Sequence, residues 1–323
     1  MINLSNSYRR YALTVDTINQ YAARDPEQFV EKAEAAYRND IRSIARSIID
    51  SPERCKVIML AGPSASGKTT TAIMLGEELE HLGCPAKIIS MDNFYRGEAN
   101  VPRTPEGKPN FECVEALNIP QIEECIEELL KKGECDIPVF NFAKSEPSGS
   151  FKHIDLKDDK IAIIEGIHAL NPIFTNNPGV TSGIKKIYIS VKQGIHKEGV
   201  KGYFVTACEL RLMRRIVRDN KFRGASADHT IGMWDNVLMG EKQYIVPYKY
   251  SGDITINSIH IYEPCITAPA AINVLSQVTP SHEKYEYAQG LIKRCEQFVR
   301  IDEKYVPKNS LLREFIGKGK YKY

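Results

Sequence analysis

The stretch "VIMLAGPSASGKTTTA", Val57–Ala72, decides the fold. Five apolar residues run into a turn punctuated by glycines. The turn fits G-x-x-x-x-G-K-[ST], with Gly62, Gly67, Lys68 and Thr69 at its fixed positions. A short apolar strand before the turn and a helix after it are the context that makes this spacing a phosphate loop. The glycines let successive N–H groups point inward at oxyanions, and the helix amino terminus adds partial positive charge. Gly62, Ser64, Ala65, Ser66, Gly67, Lys68, Thr69 and Thr70 are therefore the expected nucleotide-binding residues. Lys68 can bridge the β and γ phosphates, and the Thr69 hydroxyl can ligate Mg²⁺, so ATP and Mg²⁺ are the expected cofactors.

Outward from the loop, strand-like runs fall at Lys56–Leu60, Ala86–Ser90, Lys160–Ile164, Lys185–Val191 and Asp253–Asn257. Helical patterns lie between them, from about Lys68 to Leu82, over Ile119–Lys132, near Thr206–Asn220 and near Asp228–Gln243. Strands alternating with helices predict an α/β protein of the P-loop NTPase fold, a mostly parallel sheet flanked by helices. Upstream, Asp25 can cap and Pro26 suits the first turn of a long helix reaching Asp50, with Gln28 at a capping-box position. Downstream, Ser281–Val299 reads as another amphipathic helix. The expected organisation is an amino-terminal helical extension (1–52), a P-loop kinase core (53–265) and a carboxy-terminal helical extension (266–323).

The ends of two further strands carry acids. "AKIISMDNFYRG" ends its strand near Asp92, 24 residues after Lys68. That βαβ spacing brings the carboxylate beside the loop, where it can accept the proton of a hydroxyl attacking the γ-phosphate. A magnesium outer-sphere contact or a plain helix cap are the alternatives. "KIAIIEGIHAL" ends in Glu165, suited to Mg²⁺ or, more plainly, to solvent. Phe94 and Tyr95 read as pocket wall or as core. In "CELRLMRRIVRDNKFRG", Arg211, Arg214, Arg215 and Arg218 share one helical face. Such a face is commonly solvated, but beside a triphosphate it reads as a mobile lid lowering arginines onto the γ-phosphate.

The bulk numbers exclude other classes. A net charge of +2 gives no reason to expect nucleic acid or an anionic membrane as partner. The eight cysteines form no C-x-x-C, and no apolar run approaches membrane-spanning length. No Asn-Lys-x-Asp guanine reader occurs, since Asn220-Lys221-Phe222-Arg223 has the wrong fourth residue. A cytoplasmic protein with a small-molecule acceptor is expected, with homo-oligomerisation left open.

"GPSASGKTT", "SMDNFYRG", "IAIIEGIHAL" and "RLMRRIVRDNKFRG" together resemble the uridine kinase and phosphoribulokinase family of phosphate-loop kinases. "IGMWDNVLMGEKQYIVPY" and "YVPKNSLLREFIG" resemble a bacterial uridine kinase-like (nucleoside kinase) subgroup. Many of its members carry an amino-terminal module resembling one from threonyl-tRNA synthetase, which is not expected here. The resemblance implies ATP-dependent phosphorylation of a sugar hydroxyl, typically the 5′-hydroxyl of uridine or cytidine. It implies Asp92 as base, Tyr95 in the acceptor pocket, Glu165 and Thr69 on the metal, and Arg211 and Arg214 on phosphates or acceptor. Arg215 and Arg218 would join the nucleotide site. The family's Asn-aromatic-Asp reads Asn110-Phe111-Glu112 here, its Pro-Val-Tyr reads Pro138-Val139-Phe140, and its expected base-contacting histidine is Ser145. Those departures leave another nucleoside, a sugar, a sugar alcohol or a sugar phosphate as alternative acceptors. A nucleotide-operated regulator without catalysis is the other class. His168, in the turn after Gly166, can contact the acceptor or simply pack.

Overall fold

The computed structural model describes residues 13–104, 107–142, 144–156, 160–176 and 183–321. Its centre is a five-stranded parallel sheet in the order β2 (Ala86–Ser90), β5 (Ile161–Gly166), β1 (Val57–Ala61), β6 (Ile184–Ser190), β7 (Ile254–Asn257). A two-stranded antiparallel hairpin of β3 (Glu134–Asn141) and β4 (Glu146–Asp155) stands apart from it. The helices are α1 (Val15–Arg24), α2 (Pro26–Ile49), α3 (Lys68–His81), α4 (Ile119–Lys131), α5 (Pro172–Thr175) and α6 (Ala207–Arg223). They continue with α7 (Ala227–Gly232), α8 (Trp234–Gly240), α9 (Glu263–Leu275), α10 (Tyr285–Cys295) and α11 (Arg313–Ile316).

Both faces of the sheet are covered, which is why its central strands read as unbroken apolar runs. Alternation then sorts their side chains. Ile58, Leu60, Ile163, Ile187 and Ile189 join a core with α2, α3, α6 and α9, while Val57, Met59, Ala162, Ile164 and Tyr188 join a second core with α4. The five expected strands are present with shifts of one or two residues.

The hairpin was not expected from sequence, for a physical reason. Pro138 interrupts β3, where the register shifts between Pro138 and Phe140, and most of β4 is polar and exposed. The expected continuous helix over Asp228–Gln243 is instead α7, α8 and a π-helical turn over Glu241–Ile245. The helix read at Ser281–Val299 is the shorter α10. The expected cap of α2 forms, Asp25 accepting from Gln28 N–H at 3.0 Å. Gln28 does not answer it, since its side chain accepts from Lys32. A reciprocal capping box occurs elsewhere, between Thr206 and Glu209 at the start of α6.

The terminal segments pack onto the central core and are joined through one buried carboxylate. Glu34 on α2 accepts from Tyr262 Oη and from Ser310 Oγ, each at 2.5 Å. His260 Nε2 lies 3.6 Å from the same oxygen. Tyr262→Phe leaves the buried Glu34 one donor short, so urea unfolding should show a loss of about 1–3 kcal/mol.

Candidate active site

The site forms because parallel register brings three strand ends together. Leu60 pairs with Glu165 and Ser90 pairs with Glu165 from the other side, so the turns after β1, β2 and β5 emerge side by side. The phosphate loop follows β1. Gly62 has no room for a side chain, since a Cβ there would stand 2.1 Å from the Ile189 carbonyl oxygen. Ala65 takes a left-handed φ of 58° and Gly67 one of 86°, which lets the loop curl into the first turn of α3.

A loop that turns its N–H groups inward turns its carbonyls outward, and these need donors. The arginines of α6 supply them. Arg211 Nη1 donates to Ser64 O at 3.1 Å, and Arg214 Nη1 donates to Ala65 O at 3.2 Å and to Ser66 O at 3.5 Å. Arg215 Nη1 donates to Ser64 Oγ at 2.8 Å. These contacts correct the expectation of a mobile lid. Leu210, Leu212, Met213 and Ile216 on α6 are fully buried, and the helix braces the loop from behind.

The same contacts correct the role expected of Arg214. It is completely buried, forked onto both oxygens of Glu263 at 2.5 and 2.6 Å, and bonded to Ser258 O at 2.8 Å. It cannot reach a phosphate without leaving a buried carboxylate unpaired. Arg211 is also committed, to Glu241 at 2.6 Å, with its guanidinium 5.7 Å from the Trp234 ring centroid. Lys68, Arg218 and Arg223 place their positive charges near Asp92, and Arg215 and Lys68 place theirs near Glu112. Asp219, which no sequence pattern singled out, gathers Arg215, Arg218 and Arg223 at 3.3, 2.8 and 3.6 Å.

Asp92 lies in a 3₁₀ turn (Met91–Phe94) that opens at Ser90, whose hydroxyl accepts from Asp92 N–H at 3.4 Å. Burial raises the Asp92 carboxyl above its ordinary range, while Lys68, Arg223 and Arg218 pull it back. Glu165 is pushed up to about 7, first by burial and then by the neighbouring Asp92 charge, against the pull of Lys68. Thr69 Oγ1 donates to Glu165 Oε1 at 3.2 Å. Hard oxygens from one hydroxyl and one carboxylate suit Mg²⁺, which keeps waters and takes its remaining ligands from nucleotide phosphates. Among the described residues no group of three His, Cys, Asp or Glu could hold an ion unaided, as this arrangement would not require.

The expected acceptor residues divide. Tyr95 donates to Phe111 O at 3.2 Å and stands edge-on to Phe111 and Phe140, giving an aromatic wall. Glu112 is raised by burial, and the charges of Arg215, Lys68 and Asp92 act on it. It packs closely on the end of α8, where a Cβ on Gly240 would lie 2.5 Å from the Glu112 Cβ. His168 is buried with its ring 6.2 Å from that of Tyr244, and burial lowers its imidazole to about 4, so it is neutral. Ser145 does not sit in this wall. It occupies the turn between β3 and β4 with a φ of 54°, where its carbonyl accepts from Glu98 N–H. A cavity of about 420 Å³ lies beside the wall, between the Asn93–Arg96 turn, Gln121 and hairpin residues Pro138 and Phe151.

Residues 57–263 match the Phosphoribulokinase / Uridine kinase family. The chain is 29% identical to a uridine kinase of Lactobacillus helveticus over 63% of this chain and 87% of that one. It is 28% identical to a uridine kinase of Bacillus pumilus over 62% and 85%. A solved structure of a possible uridine kinase from Bacillus stearothermophilus aligns over 47% of this chain and 79% of that one, at 21% identity and a TM-score of 0.38.

The raised Glu165 makes a signed prediction. An acid whose folded pKa lies above its unfolded value stabilises the fold below the unfolded value, and that contribution is lost as pH rises through the folded value. For Glu165 the loss runs from about pH 4.5 to about pH 7. Without nucleotide, Glu165→Gln should melt a few degrees higher than the parent at pH 8, by roughly 1–3 kcal/mol. The difference should vanish near pH 4.5; thermal melts across that range check it.

Proposed function

The chain belongs to the phosphoribulokinase and uridine kinase family of P-loop kinases, and on that premise we propose that it transfers the terminal phosphate of ATP to the 5′-hydroxyl of uridine or cytidine. The observation that carries this reading is Asp92 at the end of β2, within the electrostatic reach of Lys68 and beside Glu165. A sensor of nucleotide has no need of a buried carboxylate there. A kinase does, because the attacking hydroxyl must lose its proton as the new P–O bond forms.

In this mechanism the loop amides and Lys68 hold the donor, and Lys68 tracks the charge that develops on the transferring phosphoryl. Asp92 orients the acceptor hydroxyl and takes its proton. The burial that raises Asp92 makes it a stronger base, and the positive charges of Lys68, Arg223 and Arg218 act against that rise. Thr69 and Glu165 would hold Mg²⁺, which when bound offsets negative charge on the donor phosphates. Tyr95, Phe111 and Phe140 stack around the acceptor, and Glu112 accepts from its hydroxyls.

A second reading keeps the chemistry and changes the acceptor to another nucleoside, a free sugar or a sugar alcohol. Glu112, one methylene longer than aspartate, and Ser145, held in a turn outside the aromatic wall, support it. A sugar phosphate fits less well: Arg211 is neutralised by Glu241, and Glu112 adds negative charge on the acceptor side. A cytoplasmic setting belongs to the same reading; no helix among the described residues is long and apolar enough to cross a membrane.

The test is Mg²⁺-dependent ADP release from ATP with uridine, cytidine, purine nucleosides, ribose, ribulose 5-phosphate and simple polyols side by side. Uridine or cytidine should raise turnover sharply above ATP alone. A response confined to other acceptors would move the assignment to the second reading. Turnover indifferent to every acceptor would remove the kinase reading. Asp92→Asn should lower kcat by about 10²–10⁴-fold with ATP affinity nearly unchanged, and an undiminished rate would take Asp92 out of the mechanism.

A further inference from the structure

The segment that follows α10 returns to the phosphate loop, and the loop motif itself does not call for it. Its backbone is fixed. Val306, Leu311, Leu312, Phe315 and Ile316 are buried, and Ser310 is tied to Glu34. Buried Arg313 donates to the carbonyls of Glu303, Val306, Pro307 and Gly317, closing the segment on itself. Lys221 Nζ of α6 donates to Ile316 O at 2.6 Å. The Phe315 ring centroid lies 5.2 Å from the guanidinium of Arg214, the group that holds the loop carbonyls. Leu311 packs against the loop's last glycine, where a Cβ on Gly67 would come within 2.6 Å of a Leu311 methyl.

From this fixed backbone a carboxylate also reaches the nucleotide cradle. Glu314 Oε2 accepts from Thr70 Oγ1 at 2.6 Å and faces Thr70 N–H at 3.4 Å. That N–H belongs to the first turn of α3, whose amides have no partner within the helix. In a phosphate loop these groups are the ones that a nucleotide phosphate takes. A carboxylate and a phosphate cannot share them, because both are anions and both need the same donors. The backbone need not move to resolve the conflict. Glu314 is only half-buried, and rotation of its own side chain withdraws the carboxylate from Thr70.

We propose that Glu314 is an internal competitor for the donor site: its carboxylate holds the Thr70 donors in the empty enzyme, and incoming nucleotide displaces it. The carboxy-terminal segment thereby sets the affinity for ATP and eases the release of ADP. This rests on the donor reading of the phosphate loop.

The experiment is calorimetric titration of the full chain with Mg–ADP, comparing the parent with Glu314→Gln, Glu314→Ala and Glu314→Lys. Gln keeps the shape and removes the charge, Ala removes the contact, and Lys reverses the charge. Gln and Ala should bind Mg–ADP roughly 3- to 30-fold more tightly than the parent, the scale of one charge-assisted hydrogen bond, with the gain expressed as slower dissociation. Lys should bind at least as tightly as Gln. Unchanged or weaker binding in Gln and Ala overturns the proposal and makes Glu314 a support of the site. Failure of the parent itself to bind Mg–ADP would instead overturn the donor reading beneath it. Far-UV spectra and melting temperatures of the variants separate a folding defect in one from the binding result, which the other two then decide.

Discussion

The architecture depends on one requirement of the backbone: a loop that presents its N–H groups to phosphate must dispose of its carbonyls elsewhere. Here Arg211 and Arg214 take them, and Arg214 in turn needs Glu263 and Ser258 to be tolerable as a fully buried charge. Buried ion pairs seldom add stability over an apolar replacement, because desolvation offsets their attraction. This one is better understood as positioning. It fastens the loop to α6, and α6 to the start of α9, so that the cradle is shaped before any nucleotide arrives. The position of the phosphate loop is therefore fixed by residues about 150 and 200 positions further along the chain, Arg214 and Glu263.

The inner side of the cleft is organised by an opposed pair of charge clusters. Asp92, Glu165 and Glu112 are all raised by burial, while Lys68 and the arginines gathered on Asp219 oppose them. Neither cluster is at rest alone. Burial disfavours the charged form of the acids, and three arginines share the carboxylate of Asp219. On the proposed assignment a nucleotide polyphosphate would meet the cations, and a metal would meet the acids. Carrying such groups costs folding stability, which is the usual position of a site that must change its charge during turnover.

Much of the sheet and the donor cradle was legible in the sequence because both are local. An apolar run followed by glycines and a lysine specifies strand, turn and helix within sixteen residues, and the spacing from Lys68 to Asp92 follows from a βαβ unit. The hairpin was illegible because Pro138 and the polar stretch of β4 erase the alternation that marks a strand. The arginine helix was half legible. Periodicity identified which side chains share a face, but not that the face meets loop carbonyls and Glu263 rather than open cleft. Glu314 carries no local mark, since its partner Thr70 lies 244 residues earlier. Asp219 was hidden in the same way, as one acid among the basic residues of a helix.

The two halves of the site differ in what they ask of the sequence. The donor side is read mainly by backbone amides, which any chain able to adopt the loop supplies, so family membership carries over to it with little loss. On the proposed assignment the acceptor side is built from side chains on separate segments, Tyr95 after β2, Glu112 in a loop and Phe140 on the hairpin, while the π-helical turn nearby carries Glu241 and Tyr244. A π turn adds a residue to the helical repeat and rotates the residues beyond it about the helix axis. Glu241, at the start of that turn, bonds to Arg211, and Tyr244, within it, lies against His168. Arg211, the cation expected to meet the acceptor, is thus paired with Glu241, and the neutral His168 imidazole lies against the Tyr244 ring. On the proposed assignment such an acceptor side would select by hydroxyl pattern and shape more than by charge, so a change in any one of these side chains would redirect it without disturbing phosphate transfer.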